Sequence, residues 1–365
     1  MLPLERNGIP ASTVRDALHW RNGRRYIKFR YDLIRGGVPI GQLPVISGSV
    51  RYSAKDAIQR TAKFEMADDS RINWLSDLIK PYMMIQIDEK WVEFPLGVFV
   101  PTTPTKQSGS STILEVEAYD KTIYAREDCV VSRAFWAAGT SYLSIVQSLL
   151  TSVGLNDILV TSSTTVLPTD REWDIGTSKL DIINTLLSEI NYIPLNIDAE
   201  GIAVLSPYRQ PSADSVTYTY RADELSVLSQ DVSSTLDLYC VPNVFIAVVS
   251  NPEIDPLQSI YINDNPESEL STIRRGRNIV SELYKPDAIA SQTDLDVYVR
   301  RKAFEASQVY ETVSVQTGLM PIHEAGEVLE IRHPSVNGIY EEIGWEMDLR
   351  IGGQMSHEIR RVVQI

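Results

Sequence analysis

Four histidines, two cysteines and 48 carboxylates are what this chain of 365 residues offers to chemistry. His19, His323, His333 and His357 include no pair at metal-ligand spacing, and neither HExxH nor a Cys/His cluster occurs. Structural or surface roles are expected for all four. The GxSxG elbow, the GxxxxGK[ST] phosphate loop and the GxGxxG fingerprint are missing too. A glycosidase needs only two carboxylates roughly 5 to 9.5 Å apart, which so many acids do not exclude. Yet no acid sits in a distinctive aromatic-lined context. The expectation is therefore no catalytic residue, no resident metal and no cofactor. In the segment IYINDNPESELS, Asp264, Asn265, Glu267 and Glu269 could supply oxygens to calcium, but the spacing and missing glycine do not match an EF-hand loop. A solvated loop over 263–269 is the better reading. Cys129 and Cys240 stand alone, fit no zinc knuckle or redox pair, and are expected as reduced core residues.

Arginines are the remaining grouped chemistry. They cluster at Arg21, Arg24 and Arg25, at Arg274, Arg275 and Arg277, at Arg300 and Arg301, and at Arg360 and Arg361. In an acidic protein such groups suit bidentate contacts to carboxylates on a neighbouring subunit, with solvated surface charge as the plain alternative. The net charge is −14. Spread over a surface of roughly 15,000 Å², it is one excess negative charge per about 1,000 Å². That is mild, and it argues against nonspecific nucleic-acid binding, which needs clustered Lys and Arg with stacking aromatics.

The elements that must position these residues change character along the chain. Apolar content of 43% and charged content of 22% are those of a folded protein, and the length suits two or three domains. In RYIKFRYDLI, Ile27, Phe29, Tyr31 and Leu33 alternate with charges, and TAKFEM and ILEVEAYD repeat the pattern. YMMIQIDEKWVEF reads as a hairpin turning at Asp88, Glu89 and Lys90. The middle adopts the helical period. Leu143, Val146, Leu150 and Val153 form one stripe, with Gly154 at its stop. Ser178 and Asp181 cap a second helix with Leu180, Ile183, Leu187 and Ile190 inward, before a strand, a turn at 198–201 with Gly201 at positive φ, and a return strand. The last third returns to strands. VPNVFIAVVS is apolar throughout and reads as a buried strand. SQTDLDVYVRRKAFEASQ reads as a helix capped by Thr293 and Asp296, and the final strands break at Asn337-Gly338 and Gly352-Gly353. The N-terminus lacks the order of a signal peptide, and no apolar run approaches the roughly 20 residues of a membrane helix. A soluble product made in the host cytoplasm is expected.

The segment TSKLDIINTLLSEINYIPLNIDAEGIAVLSPYR resembles the central segment of phage tail hub proteins, also called baseplate hub or tail-tip hub proteins. VPNVFIAVVSNPEIDPLQSIYINDNPESELSTIRRGRNIV is similar to the stretch that opens the second barrel in that family. AGEVLEIRHPSVNGIYEEIGWEMDLRIGGQMSHEIRRV is similar to its closing strands, and ISGSVRYSAKDAIQRTAKFEMAD to the start of its first barrel. Gly326-Glu327 departs from the usual Gly-Asp. The resemblance covers roughly residues 25–365.

This resemblance implies a mainly β fold with an α/β insert, in which two similar small β-barrel domains flank a mixed α/β middle. The expected boundaries are 1–130 for the first barrel, 131–215 for the middle, and 216–365 for the second barrel with its one helix. It also implies a homotrimeric ring in the virion tail. One face would meet the tail tube or distal tail protein, and the other a spike, fibre or tail-tip protein. The tape measure protein and then DNA would pass through the lumen without specific binding. The sequence ends at Ile365, so any puncture or digestion of the envelope is expected from a partner. Arg274, Arg275, Arg277, Arg300, Arg301, Arg360 and Arg361 are the expected interface residues. The alternatives are a tail-associated cell-wall hydrolase, for which no acid pair can be nominated, and a carbohydrate-binding tail-tip adhesin. The adhesin would want exposed aromatics, whereas Trp74, Trp91 and Trp345 read as core.

Overall fold

Strict alternation of side chains decides the first elements. In the strand Arg60–Ala67, Ala62, Phe64 and Met66 are buried while Lys63 and Glu65 face solvent. The strand Ile27–Arg35 pairs antiparallel with Leu78–Ile87, which turns back through Asp88 into Lys90–Pro95. Asp88 sits at φ 53°, a conformation Asp tolerates better than most residues. The structure, a computed structural model, describes residues 1–19, 25–108, 112–223, 227–236, 239, 241–249, 256–286, 288–289, 291–308, 311–363 and 365. Trp20, Arg21, Arg24 and Cys240 lie outside the described residues.

The protein is mainly β, and its two β-rich ends share one sheet. Seven strands run side by side in the order Leu228–Leu236, Glu311–Gly318, Gln354–Arg361, Asn337–Asp348, Val45–Ser53, Arg60–Ala67 and Thr112–Asp120. The crossing from the last third to the first is an antiparallel ladder in which Trp345 faces Tyr52, Glu346 faces Arg51 and Met347 faces Val50. One apolar core follows that sheet, uniting Val50, Phe64 and Val116 with Val313, Trp345 and Met355. The closing turn differs from expectation. It spans His333–Val336, and Asn337-Gly338 already belongs to the strand, because the fixed φ of Pro334 suits the corner. Gly352 makes the other turn, at φ 74°.

The middle has its own core, built on the helices Tyr142–Ser152 and Lys179–Glu189. The oxygen of Ser178 accepts from the Asp181 N–H at 3.1 Å, the expected cap. Gly201 stands at φ 89° in the turn that follows. A third core lies between the helix Gln292–Ser307 and a sheet of Val244–Val249, Leu257–Ile262 and Val280–Tyr284. That helix starts earlier than expected. Ser291, whose oxygen accepts from the Asp294 N–H at 3.2 Å, is the cap, while Asp296 accepts from Ser259 at 2.6 Å. The same Ser/Thr-x-x-Asp spacing occurs at both places, and the tertiary bond of Asp296 selects between them. Among the described residues no helix is long and apolar enough to cross a membrane.

Candidate functional site

Strand alternation brings together residues that looked unrelated in sequence. Glu342 and His357 lie on neighbouring strands, both facing the core, and His323 arrives from the loop ahead of Val328–Arg332. Nδ1 of His323 donates to Glu342 at 2.7 Å and Nδ1 of His357 at 2.5 Å. The far nitrogens meet hydroxyls, Tyr220 at 2.7 Å and Thr317 at 2.8 Å. Burial opposes charge on His323, but Glu342 and then Glu327 reverse this and raise its pKa. For His357 burial prevails and the pKa falls. Glu342, whose own burial is outweighed by the two rings, is held down at about 2.

Two imidazoles and a carboxylate within 4.8 Å of one another are also a ligand set suited to zinc or a similar ion. Ligands at about 2.0–2.2 Å from a tetrahedral zinc stand roughly 3.3 Å apart. The two hydrogen-bond separations to Glu342 are shorter than that, and each ring nitrogen has a hydrogen-bond partner. With no side-chain exposure at any of the three, the cluster is sealed from substrate. The other histidines are buried as well, His19 against the Tyr218 hydroxyl and His333 accepting from the Ser335 N–H at 3.2 Å.

A second buried constellation ties all three parts of the chain together. Arg60, only 1% exposed, donates to Glu324 at 2.6 Å and to the Leu96 carbonyl at 3.0 Å. The other oxygen of Glu324 accepts from the Ala199 N–H at 3.0 Å. Ala199 belongs to the turn 198–201 of the middle unit, and its side chain enters the core of the large sheet. Lys80 grips Glu200 at 2.7 Å and Lys121 donates to the Gly201 carbonyl at 2.9 Å. The well-formed central unit therefore serves as a peg, its hairpin tip locked into the joint between the two ends.

The outward face over that joint is polar throughout. Gln316, Ser356, Glu346, Arg51 and Thr61 stand side by side across five strands, and Asp348, Ser49, Lys63 and Glu117 form the next row. Two open grooves of about 390 and 410 Å³ lie on this face, lined by six carboxylates against Arg51, Lys63 and Arg350. The alternation of TAKFEM and ILEVEAYD, two of these strands, was legible in the sequence. The continuity of the face depends on the pairing of residues 45–53 with 337–348, for which no local signal exists.

The arginines singled out from sequence are dispersed. Arg274 and Arg277 are exposed, the latter over the ring of Tyr239 at 5.6 Å, while Arg275 donates to the Val241 carbonyl at 2.9 Å. Arg300 lies over Tyr261, and Arg301 is engaged with Glu305 at 2.7 Å and with the Tyr192 carbonyl at 2.9 Å. Arg361 pairs with Glu311 at 2.7 Å, and Arg360 is half-buried beside it. Arg25 donates to the Leu319 carbonyl. The loop 263–269 is shaped by asparagines. Asn263 Oδ1 accepts from Asn265 N–H at 3.3 Å and Asn265 Oδ1 from Glu267 N–H at 3.0 Å, with the acids pointing outward. Cys129 is half-buried instead of in the core, since its strand bridge to Ser178 lies at the edge of the middle unit. Trp345 is core, Trp74 and Trp91 are partly covered, and Trp136 stacks edge-on against Trp173 at 5.4 Å.

The arrangement is a known one: the chain has the fold of phage tail proteins. It is similar to a tail protein from Neisseria meningitidis MC58, with TM-score 0.64 and 9% identity over 92% of this chain and 97% of that one. The 43 kDa tail protein of prophage MuSo2 from Shewanella oneidensis matches with TM-score 0.62 and 9% identity, over 91% and 98% of the two chains. The prophage tail protein gp18 from Listeria monocytogenes EGD-e gives 0.58 and 8%, over 92% and 95%. No model of a protein family and no curated protein matches the sequence.

Proposed function

We propose that this chain is the structural hub of a phage tail or phage-like particle. In this reading three copies form a ring in the virion tail that joins the tail tube or distal tail protein to a spike, fibre or tail-tip protein. Residues 1–130 and 216–365 supply its two barrel units and 131–215 the unit between them. The observation that carries the proposal is the joint. Both ends of the chain feed one sheet whose outward face is polar over the joint, on a fold shared with phage tail proteins over more than nine-tenths of each chain.

The physics of that face suits a passage wall. Short hydroxyls and carboxylates give a moving polymer no apolar grip, and a surplus of acid repels phosphates. Tape measure protein and DNA would slide past it without specific binding. The sealed histidine cluster and the pegged middle unit are means of rigidity, so the role is non-enzymatic.

Light scattering on the purified chain, alone and co-expressed with its genomic neighbours, tests the reading. The expected mass is near three times 41.0 kDa, alone or within a partner complex. A monomer in every combination overturns it, as does peptidoglycan digestion by the purified chain.

A further inference from the structure

The segment VPNVFIAVVS is apolar on both faces, a composition that belongs to a strand covered from both sides. In the structure a helix covers one face of its strand, Val244–Val249; on the other, Val244 is buried, Ile246 and Val248 are half-buried, and the flanking strands are exposed. Phe245, Ala247 and Val249 face the helix Gln292–Ser307. Val244, Ile246 and Val248 face the other way, and pairing sets Ile262 and Ile260 beside the first two on one flank, with Val280 and Leu283 beside them on the other. The result is a sheet face of seven aliphatic residues. Ile260 is 53% exposed, Ile262 49%, Val280 54% and Leu283 47%.

The area decides whether this needs explaining. Four aliphatic side chains at half exposure present roughly 350 Å², within the range of the largest apolar patch on a typical monomer, which is often functional. A standard interface takes about 800 Å² from each partner, of which about 450 Å² is apolar. The face thus supplies most of the apolar area that one side of a stable contact requires.

Charges of both signs stand at one end of this sheet, where Asn263, Asn243 and Ile279 are tied together by backbone hydrogen bonds. Arg274 and Arg277 are exposed there, and so are Asp264 and Glu267. Among the described residues none of these four has an ion-pair partner. A polyanion would be met by the arginines and repelled by the acids beside them. A second copy of the chain offers both signs. It also offers an apolar surface of a different kind, for Val131, Ile175 and Phe135 on the middle unit are 90%, 68% and 55% exposed. Backbone bonds between Val130 and both Gly176 and Thr177 hold Val131 and Ile175 close together. Two unlike apolar patches on one chain are what a head-to-tail contact buries, and head-to-tail contacts close rings.

We infer that the face carrying Ile260, Ile262, Val280 and Leu283 docks a second copy of this chain, head to tail, with Arg274 and Arg277 at its rim. The inference rests on the ring of the preceding section and assigns the surface that builds it. The test compares the wild-type chain with I260D/V280D and with the milder I260T/V280T, which keeps β-branched residues on the strands. Mass is measured by light scattering across a dilution series, and folding by circular dichroism. The expected result is a shift in dissociation midpoint of about 100-fold or more for the aspartate pair, and a smaller shift for the threonine pair, with unchanged spectra. Wild-type mass retained by either folded aspartate or threonine variant overturns the assignment and leaves the ring standing. Retention of self-association with loss of a co-expressed neighbour also overturns it, since the occupant would then be that neighbour. A wild-type chain that is monomeric in every combination removes the ring itself.

Discussion

Arg60 and Glu324, 264 residues apart, form a buried ion pair of 2.6 Å, and Glu324 also holds the Ala199 N–H. The pair is thus a three-way tie between the first strands, the last third and the middle unit. Removing one partner strands the other in a place from which water is excluded, so Glu324→Ala is expected to cost about 3–5 kcal/mol. The double variant R60M/E324M, which removes both charges, should recover much of that loss. Urea denaturation of the three chains measures it, and a double variant no more stable than Glu324→Ala would show that the stranded charge is not what costs stability.

The cluster of His323, Glu342 and His357 makes stability depend on pH in a defined way. His323 has a raised pKa in the fold, so its contribution is complete below the unfolded value near 6.5 and is lost as pH rises through the raised value. His357 has a lowered pKa, so its contribution is present above 6.5 and lost as pH falls. Glu342, lowered to about 2 from 4.5, withdraws a further contribution as pH falls below 4.5. The three together place the maximum of the cluster's contribution near pH 6.5. Urea midpoints of wild type and Glu342→Gln from pH 4 to 9 should differ most there, and a difference independent of pH would contradict the linkage.

Gly201 and Gly154 both have positive φ, at 89° and 84°, and they are expected to tolerate alanine very differently. A Cβ on Gly154 meets open space, whereas one on Gly201 would lie 2.7 Å from Val98 Cγ2. Gly154→Ala therefore bears only the conformational cost of about 1–2 kcal/mol. Gly201→Ala adds overpacking of about 1–3 kcal/mol and loosens the peg from the joint. Thermal unfolding ranks the two, and equal losses would mean the hairpin tip is not held as described.

Reversing charge on the polar face should change what the chain binds and leave the fold alone. Glu117 and Glu346 are exposed on the outward face, among the polar residues of the two rows over the joint. In E117K/E346K the surplus of acid is lost, and weak salt-sensitive retention of double-stranded DNA on a filter is expected where wild type shows none. Retention by wild type at moderate salt would argue against this face as a wall that DNA slides past.

Much of the chain is legible in its sequence, because the signals concerned act over a few residues. Ser178 with Asp181, Gly201, the turn at Asp88 and the alternation of Arg60–Ala67 are short-range choices, set by sterics and by the side-chain period of two. The mistaken details were also local, at Thr293 and at Asn337-Gly338, where two signals lay within a few residues: the bond of Asp296 to distant Ser259 chose in the first case and the neighbouring Pro334 in the second. The sequence by itself determined the mainly β character, the capped helices of the middle unit and the lack of any catalytic motif. Only the tertiary structure decided that 45–53 pairs with 337–348, that His323, Glu342 and His357 share a proton network, and that Ile260, Ile262, Val280 and Leu283 are left exposed beside Val244–Val249. Strand pairing joins hydrogen-bonding groups that are the same at every residue, so its register is chosen by the whole core and not by any stretch that could be read alone.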